Sequence, residues 1–283
     1  MKQTEQWDTI IKPSSSLFEI DIRELWRYRD LIIMFTKRDI VANYKQTILG
    51  PIWFFIQPLL TTITFVVIFG NIAKISTDGL PKVLFYLAGI TCWNYFSECL
   101  TRTANTFREN ANIFGKVYFP RLVVPLSIII SNLIKFAIQL LLFLIIWLYF
   151  LLFTDSQIHI TEAILLLPVL IFLMAGLGLG FGIIFSSLTT KYKDLVFLLT
   201  FGVQLAMYAT PVIYPLSTIS DKYKPYIMAN PVTAIVETFR YGFLGTGTFS
   251  WEMLVYSLVC TLVVLMIGVV IFNKVEKTFM DTV

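Results

Sequence analysis

The amino-acid sequence predicts an all-α polytopic membrane protein, and three observations predict it. Hydrophobic residues make up 57% of the 283 residues and charged residues 14%, where a soluble domain carries about 45–50% apolar and about 25% charged residues. Six long apolar runs follow one another along the chain, each close to the length a helix needs to cross a hydrocarbon core of about 30 Å. The runs are continuous and lack the two-residue alternation of a transmembrane barrel strand. A mean hydropathy of +0.77 excludes a soluble or a disordered chain.

The elements follow in order. Residues 1–48 read as a cytoplasmic amphipathic interface segment, and residues 49–283 as a single six-helix transmembrane domain. The start of the chain is polar and charged, so no cleavable signal peptide is expected and the first span directs insertion. Met1 to Ser16 reads as loosely ordered, and Ser16-Leu17-Phe18-Glu19 as a capping box. Phe18, Ile22, Leu25 and Trp26 then share one helical face. A second amphipathic piece runs from Asp30 to Ile48. Helices of this kind lie in the membrane interface.

The first span is placed at 51–72, with a kink expected at Pro58. The second is placed at 83–103 and a polar loop at Asn105 to Arg121. The third, at 122–153, exceeds the hydrocarbon core at 1.5 Å per residue, so it must protrude or break, and Pro125 is the place for a break. The fourth lies at 163–188, the fifth at 195–213 and the sixth at 253–272, with a longer connection from Tyr214 to Ser250.

Orientation comes from Lys and Arg. With both termini inside, sixteen of them fall in inside segments and five in outside loops. This makes the chain N-in and C-in. Placement therefore says more than the net charge of +4, and no nucleic-acid partner is implied.

Little catalytic chemistry is present. No GxxxxGK[ST] occurs, hence no P-loop, and the flanks of the spans leave no room for a nucleotide-binding domain. Cys92, Cys99 and Cys260 lie in or beside apolar runs without metal-ligand spacing, and they read as small buried hydrophobes. His159 reads as a loop residue. No catalytic residue, metal or cofactor is assigned to the chain, and a conduit is favoured over an enzyme.

Polar residues inside the spans are costly and face protein or water. Asn94, Ser97, Glu98, Thr101, Arg102 and Asn105 recur at three- and four-residue steps and form one stripe on the second span. Glu98 and Arg102 can neutralise each other at i,i+4. The stripe is either a conduit wall or polar seam, or simply the cytoplasmic end of the helix. Lys135 in the third span either snorkels or pairs, or meets a substrate. Gly176/Gly180 and Gly178/Gly182 are GxxxG pairs, read as close helix packing ahead of a hinge. Aromatic residues make up 16%. They suit interfacial belts and also a passage in which sugar rings slide on aromatic faces.

Three stretches together resemble one family. Arg38-Asp39, Tyr44-Lys45, Leu49-Gly50 and Trp53, followed by Gln57-Pro58-Leu59, are similar to the segment leading into the first span of type-2 ABC exporter permeases, with Thr47 where Ser is common. Glu109, Asn110, Phe114, Lys116, Phe119, Pro120 and Arg121, with Pro125 beyond, resemble that family's cytoplasmic coupling loop. Pro211, Tyr214, Pro215, Asn230, Pro231 and Arg240 resemble its outer loop, which forms short re-entrant gate helices. The similarity is strongest to the polysaccharide-exporting branch, the O-antigen, capsule and teichoic-acid permeases.

The resemblance implies a homodimer joined to two copies of a separate ABC ATPase, which carries ATP and Mg. It implies coupling through Asn105 to Phe119. It also implies export of an undecaprenyl-pyrophosphate-linked glycan, with membrane lipid around the path. Arg38, Tyr44 and Lys45 are candidates for the interface helix and the lipid pyrophosphate; the basic Arg38, Lys45 and Lys116 would attract that pyrophosphate, or are ordinary positive-inside residues. Asn94, Ser97, Glu98, Thr101 and Lys135 are conduit candidates. The outer-loop residues are candidates for an outer gate. Three rivals stay open: an exporter of a drug or small lipid, a membrane-embedded glycan- or lipid-modifying enzyme, and an ion-coupled secondary transporter.

Overall fold

A computed structural model describes residues 22–45, 49–154, 158–192 and 194–282. Among them there are helices and turns and no strand. The capping box at Ser16–Glu19, Phe18 and the loosely ordered start lie outside the described residues. So do the end of the second amphipathic piece at Ile48 and the side chain of Tyr44.

Two helices come first, α1 (Ile22–Arg27) and α2 (Arg29–Tyr44). They are followed by α3 (Trp53–Phe65), which a 3-10 turn at Gly50–Ile52 precedes and a π turn at Val66–Ile72 extends. α3 runs through Pro58 without interruption, and the change of winding comes downstream, in the π turn. The central helix α4 spans Lys82–Ala104, and the short α5 spans Thr106–Phe114. α6 (Val123–Phe153) and α7 (Leu167–Thr189) are long and apolar. α8 (Leu195–Tyr208), α9 (Lys224–Met228), α10 (Pro231–Leu244) and α11 (Trp251–Thr282) complete the chain.

Four of the described segments are long and apolar enough to cross a membrane alone: Gly50–Ile72, Val123–Phe153, Glu162–Thr189 and Trp251–Val275. This is a multi-pass membrane protein. The two remaining expected spans differ for separate reasons. α4 has 23 residues, about 34 Å of rise, but carries the polar stripe. α8 stops at Tyr208 rather than 213; its 14 residues rise about 21 Å, less than a hydrocarbon core. Thr210 precedes Pro211, which disfavours the α conformation there, and the chain turns.

Of the two outcomes expected for the third span, protrusion or a break, the break is not found. α6 continues for 31 residues from Val123. Pro125 falls in its first turn, where a missing N–H leaves no helical bond unmade. Its first turns are covered by α2, whose Phe35 and Thr36 are buried. The Thr36 hydroxyl lies 2.8 Å from the Ile32 carbonyl and 3.4 Å from that of Ser127 on α6.

The core centres on α4 and α7. A Cβ on Gly178 or Gly182 would lie 2.6 Å from Cys99 or 2.5 Å from Thr103, both on α4. A Cβ on Gly176 or Gly180 would lie 2.6 Å from Thr261 or 2.8 Å from Val264, both on α11. The two GxxxG pairs thus face opposite neighbours, and α7 is sandwiched between them. Glycine here is required for backbone approach.

Candidate functional site

α4 is buried on almost every side. From Leu84 to Asn105, the residues left half-exposed are Asn94, Ser97, Glu98, Thr101, Arg102 and Asn105, the stripe that helical spacing picks out. Its hydroxyls and amides are fed back to the preceding turn: Thr101 donates to the Ser97 carbonyl at 2.7 Å and Asn105 to the Thr101 carbonyl at 2.9 Å. Such back-bonding satisfies a polar group without a tertiary partner.

The Glu98 carboxylate takes its partner from another helix. Lys135 Nζ on α6 lies 2.9 Å from Glu98 Oε2, whereas the sequence pointed to Arg102 one turn along. Lys135 is 8% exposed, and its ammonium also stands 5.8 Å from the centre of the Phe54 ring. The pair lies in a groove of about 230 Å³ between α3, α4 and α6, lined by Trp53, Phe54, Gln57, Glu98, Lys135 and Gln139. Asn94, Tyr95, Asn132 and Phe136 pack beside it between α4 and α6, where no room for a water remains.

Sequence reasoning missed Gln57 and Gln139 as lining residues and Asn132 as their buried neighbour. Ser127, Ser131, Asn132, Lys135 and Gln139 are all buried on α6. The three- and four-residue spacing applied to the second span would have found them in the third.

At one end of the bundle, rings connect three elements. Phe35 of α2 packs edge-on to Phe119 (5.8 Å between ring centres), Phe119 on Phe114 (5.7 Å), Phe114 on Phe107 (5.8 Å), and Phe107 stacks on Phe272 of α11 (4.8 Å). The candidate coupling residues therefore divide. Phe114, Phe119 and Asn110 point inward, with Asn110 donating to the Thr106 carbonyl at 3.0 Å. Glu109 and Lys116 are exposed, as are the neighbouring Arg108, Val117 and Tyr118. Pro120 and Arg121 are half-buried, with the Arg121 guanidinium 5.6 Å from the Phe114 ring centre. Arg38 pairs with the adjacent Asp39 at 2.8 Å and stands over the Phe35 ring, and Lys45 is exposed.

The opposite end is closed by a buried charge. Arg240 of α10 is 1% exposed and Glu237, 3.5 Å away, also 1%. The guanidinium donates to the carbonyls of Pro211 and Val212 and lies 3.7 Å from the centre of the Phe85 ring on α4. Thr248 N–H donates to Glu237 Oε2 at 3.0 Å. Asn230 caps α10 by accepting from Val232 N–H and donates to the Thr210 hydroxyl at 2.8 Å. Pro231 accepts from Ser257 of α11 at 3.0 Å. Burial raises the pKa of the Tyr214 phenol, keeping it a donor to the Tyr208 carbonyl at 2.8 Å. Pro215 precedes a 3-10 turn at Leu216–Thr218, and Ser217 reaches Asp78 at 2.8 Å. Pro211, Asn230 and Arg240 thus meet at the turn 210–212, whereas Tyr214, Pro215 and Pro231 bond to Tyr208, Thr218 and Ser257.

Comparison with known proteins agrees with this architecture. The chain is 26% identical over 264 residues to the O-antigen export system permease protein RfbA of Myxococcus xanthus, covering 93% of this chain and 98% of that one. It is 25% identical over 253 residues to the polysialic acid transport protein KpsM of Escherichia coli, covering 87% and 93%. It is 23% identical over 248 residues to the capsule polysaccharide export inner-membrane protein CtrC of Neisseria meningitidis serogroup A, covering 85% and 89%. Residues 30–244 match the family described as ABC-2 type transporter, and the chain belongs to that family.

Proposed function

We propose that this chain is the permease subunit of an ATP-driven exporter that moves a lipid-linked polysaccharide out of the bacterial cytoplasm across the inner membrane. The observation that carries this reading is the open polar face of α4. A helix buried all round would need no such stripe, because lone polar groups inside a membrane are expensive. A half-exposed line of amides, hydroxyls and a charge pair is what a hydrated path needs. The names of the relatives supply the cargo class.

In this reading two copies of the chain enclose the path, with six crossings each and both termini inside. α4 and the α8 segment complete crossings that neither the polar α4 nor the short α8 makes as an isolated apolar span. Two copies of a separate ATPase hold ATP and Mg. Closure of the ATPase pair pushes on α5 and the exposed residues after it. The ring contacts from Phe35 to Phe272 carry that push to α2 and α11 together. Arg38, Lys45 and Lys116 draw the lipid pyrophosphate to the inner interface. The cap around Arg240 closes the outer mouth.

The test is deletion of the gene in its own cell, followed by mass spectrometry and sugar analysis of lipid-linked glycan. Long polymer accumulating inside, with loss of the same glycan from the surface, is the expected result. An unchanged glycan pool would move the reading to a drug or small-lipid exporter of the same fold.

A further inference from the structure

Among the described residues, two other than glycine hold a left-handed backbone, Lys74 at φ 51° and Asp78 at φ 53°. Both lie in the connection between α3 and α4. Side chains disfavour this region, although Asp tolerates it better than most, and residues held there cluster at clamps and switches. The connection is built to hold Asp78 in place. Lys82 ties its base, with the ammonium 2.8 Å from the Gly70 carbonyl and 2.8 Å from Asn71 Oδ1. The buried Thr77 donates to the Leu80 carbonyl at 2.8 Å, and Asp78 N–H donates to Ser76 Oγ at 3.2 Å. This local order presents the Asp78 carboxylate to a residue 139 positions away, Ser217, whose hydroxyl lies 2.8 Å from each of the two oxygens.

The strap to which Ser217 belongs is anchored firmly at both ends and lightly between them. Before it, the buried Arg240 grips the Pro211 and Val212 carbonyls, and Leu216 is buried. After it, Thr233 donates to the Ile227 carbonyl at 2.7 Å and Tyr256 to the Ala229 carbonyl at 2.8 Å. From Thr218 to Tyr226 the hydrogen bonds stay within the strap or reach back to Pro215 and Leu216, and most of these residues are exposed. Among the described residues, the contact of Ser217 with Asp78 is therefore what ties the outer part of the strap to another element. Both partners are exposed, so water competes for the bond and its net strength is small. Segments held by exposed bonds open at low cost, whereas buried anchors such as Arg240 do not. α4 starts at Lys82, just beyond Asp78, so the contact lies across the end of α4 away from α5.

We propose that Asp78 and Ser217 form a catch that holds the strap 215–229 shut, and that this catch must release for cargo to leave. The turn 210–212, fixed by Arg240, stays in place while the strap moves. The inference rests on the permease reading above, in which this end is the outer mouth, and adds the contact that governs its opening.

The test uses the full chain in the deletion strain. Asp78→Cys and Ser217→Cys are combined with Cys260→Ser, the remaining Cys92 and Cys99 being buried. Intact cells are treated with a short bis-methanethiosulfonate, which joins two thiols after the protein has folded and is removed by dithiothreitol. Mass spectrometry of the digested protein reads whether the bridge has formed. The bridged protein is expected to put no new glycan on the surface, to accumulate lipid-linked glycan inside as the deletion does, and to recover export on reduction. Either cysteine alone, treated alike, is expected to export as before. A bridged protein that exports at the untreated rate overturns the catch and leaves the permease reading standing. A pair that forms no bridge also overturns it, because the two side chains are then not neighbours in the cell. If the deletion strain keeps its surface glycan, the permease reading falls, and the catch with it.

Discussion

Two charged pairs show how burial sets what a residue does. Glu98 and Lys135 share a groove and keep some contact with it, the Glu98 side chain being 34% exposed. Removing one partner strands the other, so the double change Lys135→Met/Glu98→Gln should destabilise less than the sum of the two single changes. A double-mutant cycle on thermal unfolding in nanodiscs should read a coupling of about 0.5–3 kcal/mol. Arg240 is enclosed on every side and serves three carbonyls and Glu237. Arg240→Met should cost about 3–5 kcal/mol, the range for breaking a buried pair, seen as a lower melting temperature and less protein in the membrane. Arg240→Lys should not restore it, because an ammonium lacks the planar fork that reaches several acceptors together. Residue spacing placed Lys135 and Glu98 within expected spans. It left Lys135 between pairing and substrate contact, and it paired Glu98 with Arg102, because sequence reports neighbours on one helix and not across two.

At the scale of elements, α7 and α5 make separate predictions. Gly182→Ala should force α4 and α7 apart and lower stability, since the new Cβ meets Thr103 at 2.5 Å. Gly202→Ala, on α8 with nothing within 4 Å, should be neutral or slightly stabilising by removing glycine's conformational freedom. Comparing the melting temperatures of the two variants checks both. In the α5 region, Glu109→Ala and Lys116→Ala should lower export-coupled ATP hydrolysis at unchanged protein level, because both side chains are exposed. Phe119→Ala should instead cost about 3–5 kcal/mol as a buried aromatic truncation and reduce the amount of protein. Lys116 and Phe119 belong to the same sequence motif, and only packing separates the exposed residue from the buried one.

For the whole molecule, the orientation is testable by labelling. With both termini inside, His159→Cys should react with a membrane-impermeant maleimide in intact cells, and Lys116→Cys only after permeabilisation. Both native side chains are exposed; Cys92 and Cys99 are buried, and Cys260, half-buried, is replaced by Ser to remove background. Labelling in the opposite order would invert the topology. The same view explains the errors in span boundaries. Apolar runs mark where a chain is soluble in lipid, so α6, α7 and α11 were legible to within a few residues at their first ends. The run ending at Ile213 crosses a turn that the apolar side chains do not report.

Composition and the six apolar runs determined the helical membrane class, because backbone polar groups in lipid must be satisfied within each segment. Helical periodicity determined the α4 stripe residue by residue, and glycine spacing determined that α7 packs closely. Tertiary structure alone decided that Glu98 meets Lys135, that Asn132 and Gln139 join them, and that Arg240 turns inward to hold Pro211 and Val212. The physical reason is common to all three. Periodicity places a side chain on a face of its own helix, but partner and burial depend on which helix lies opposite, and that follows from how α3, α4, α6 and α10 pack together.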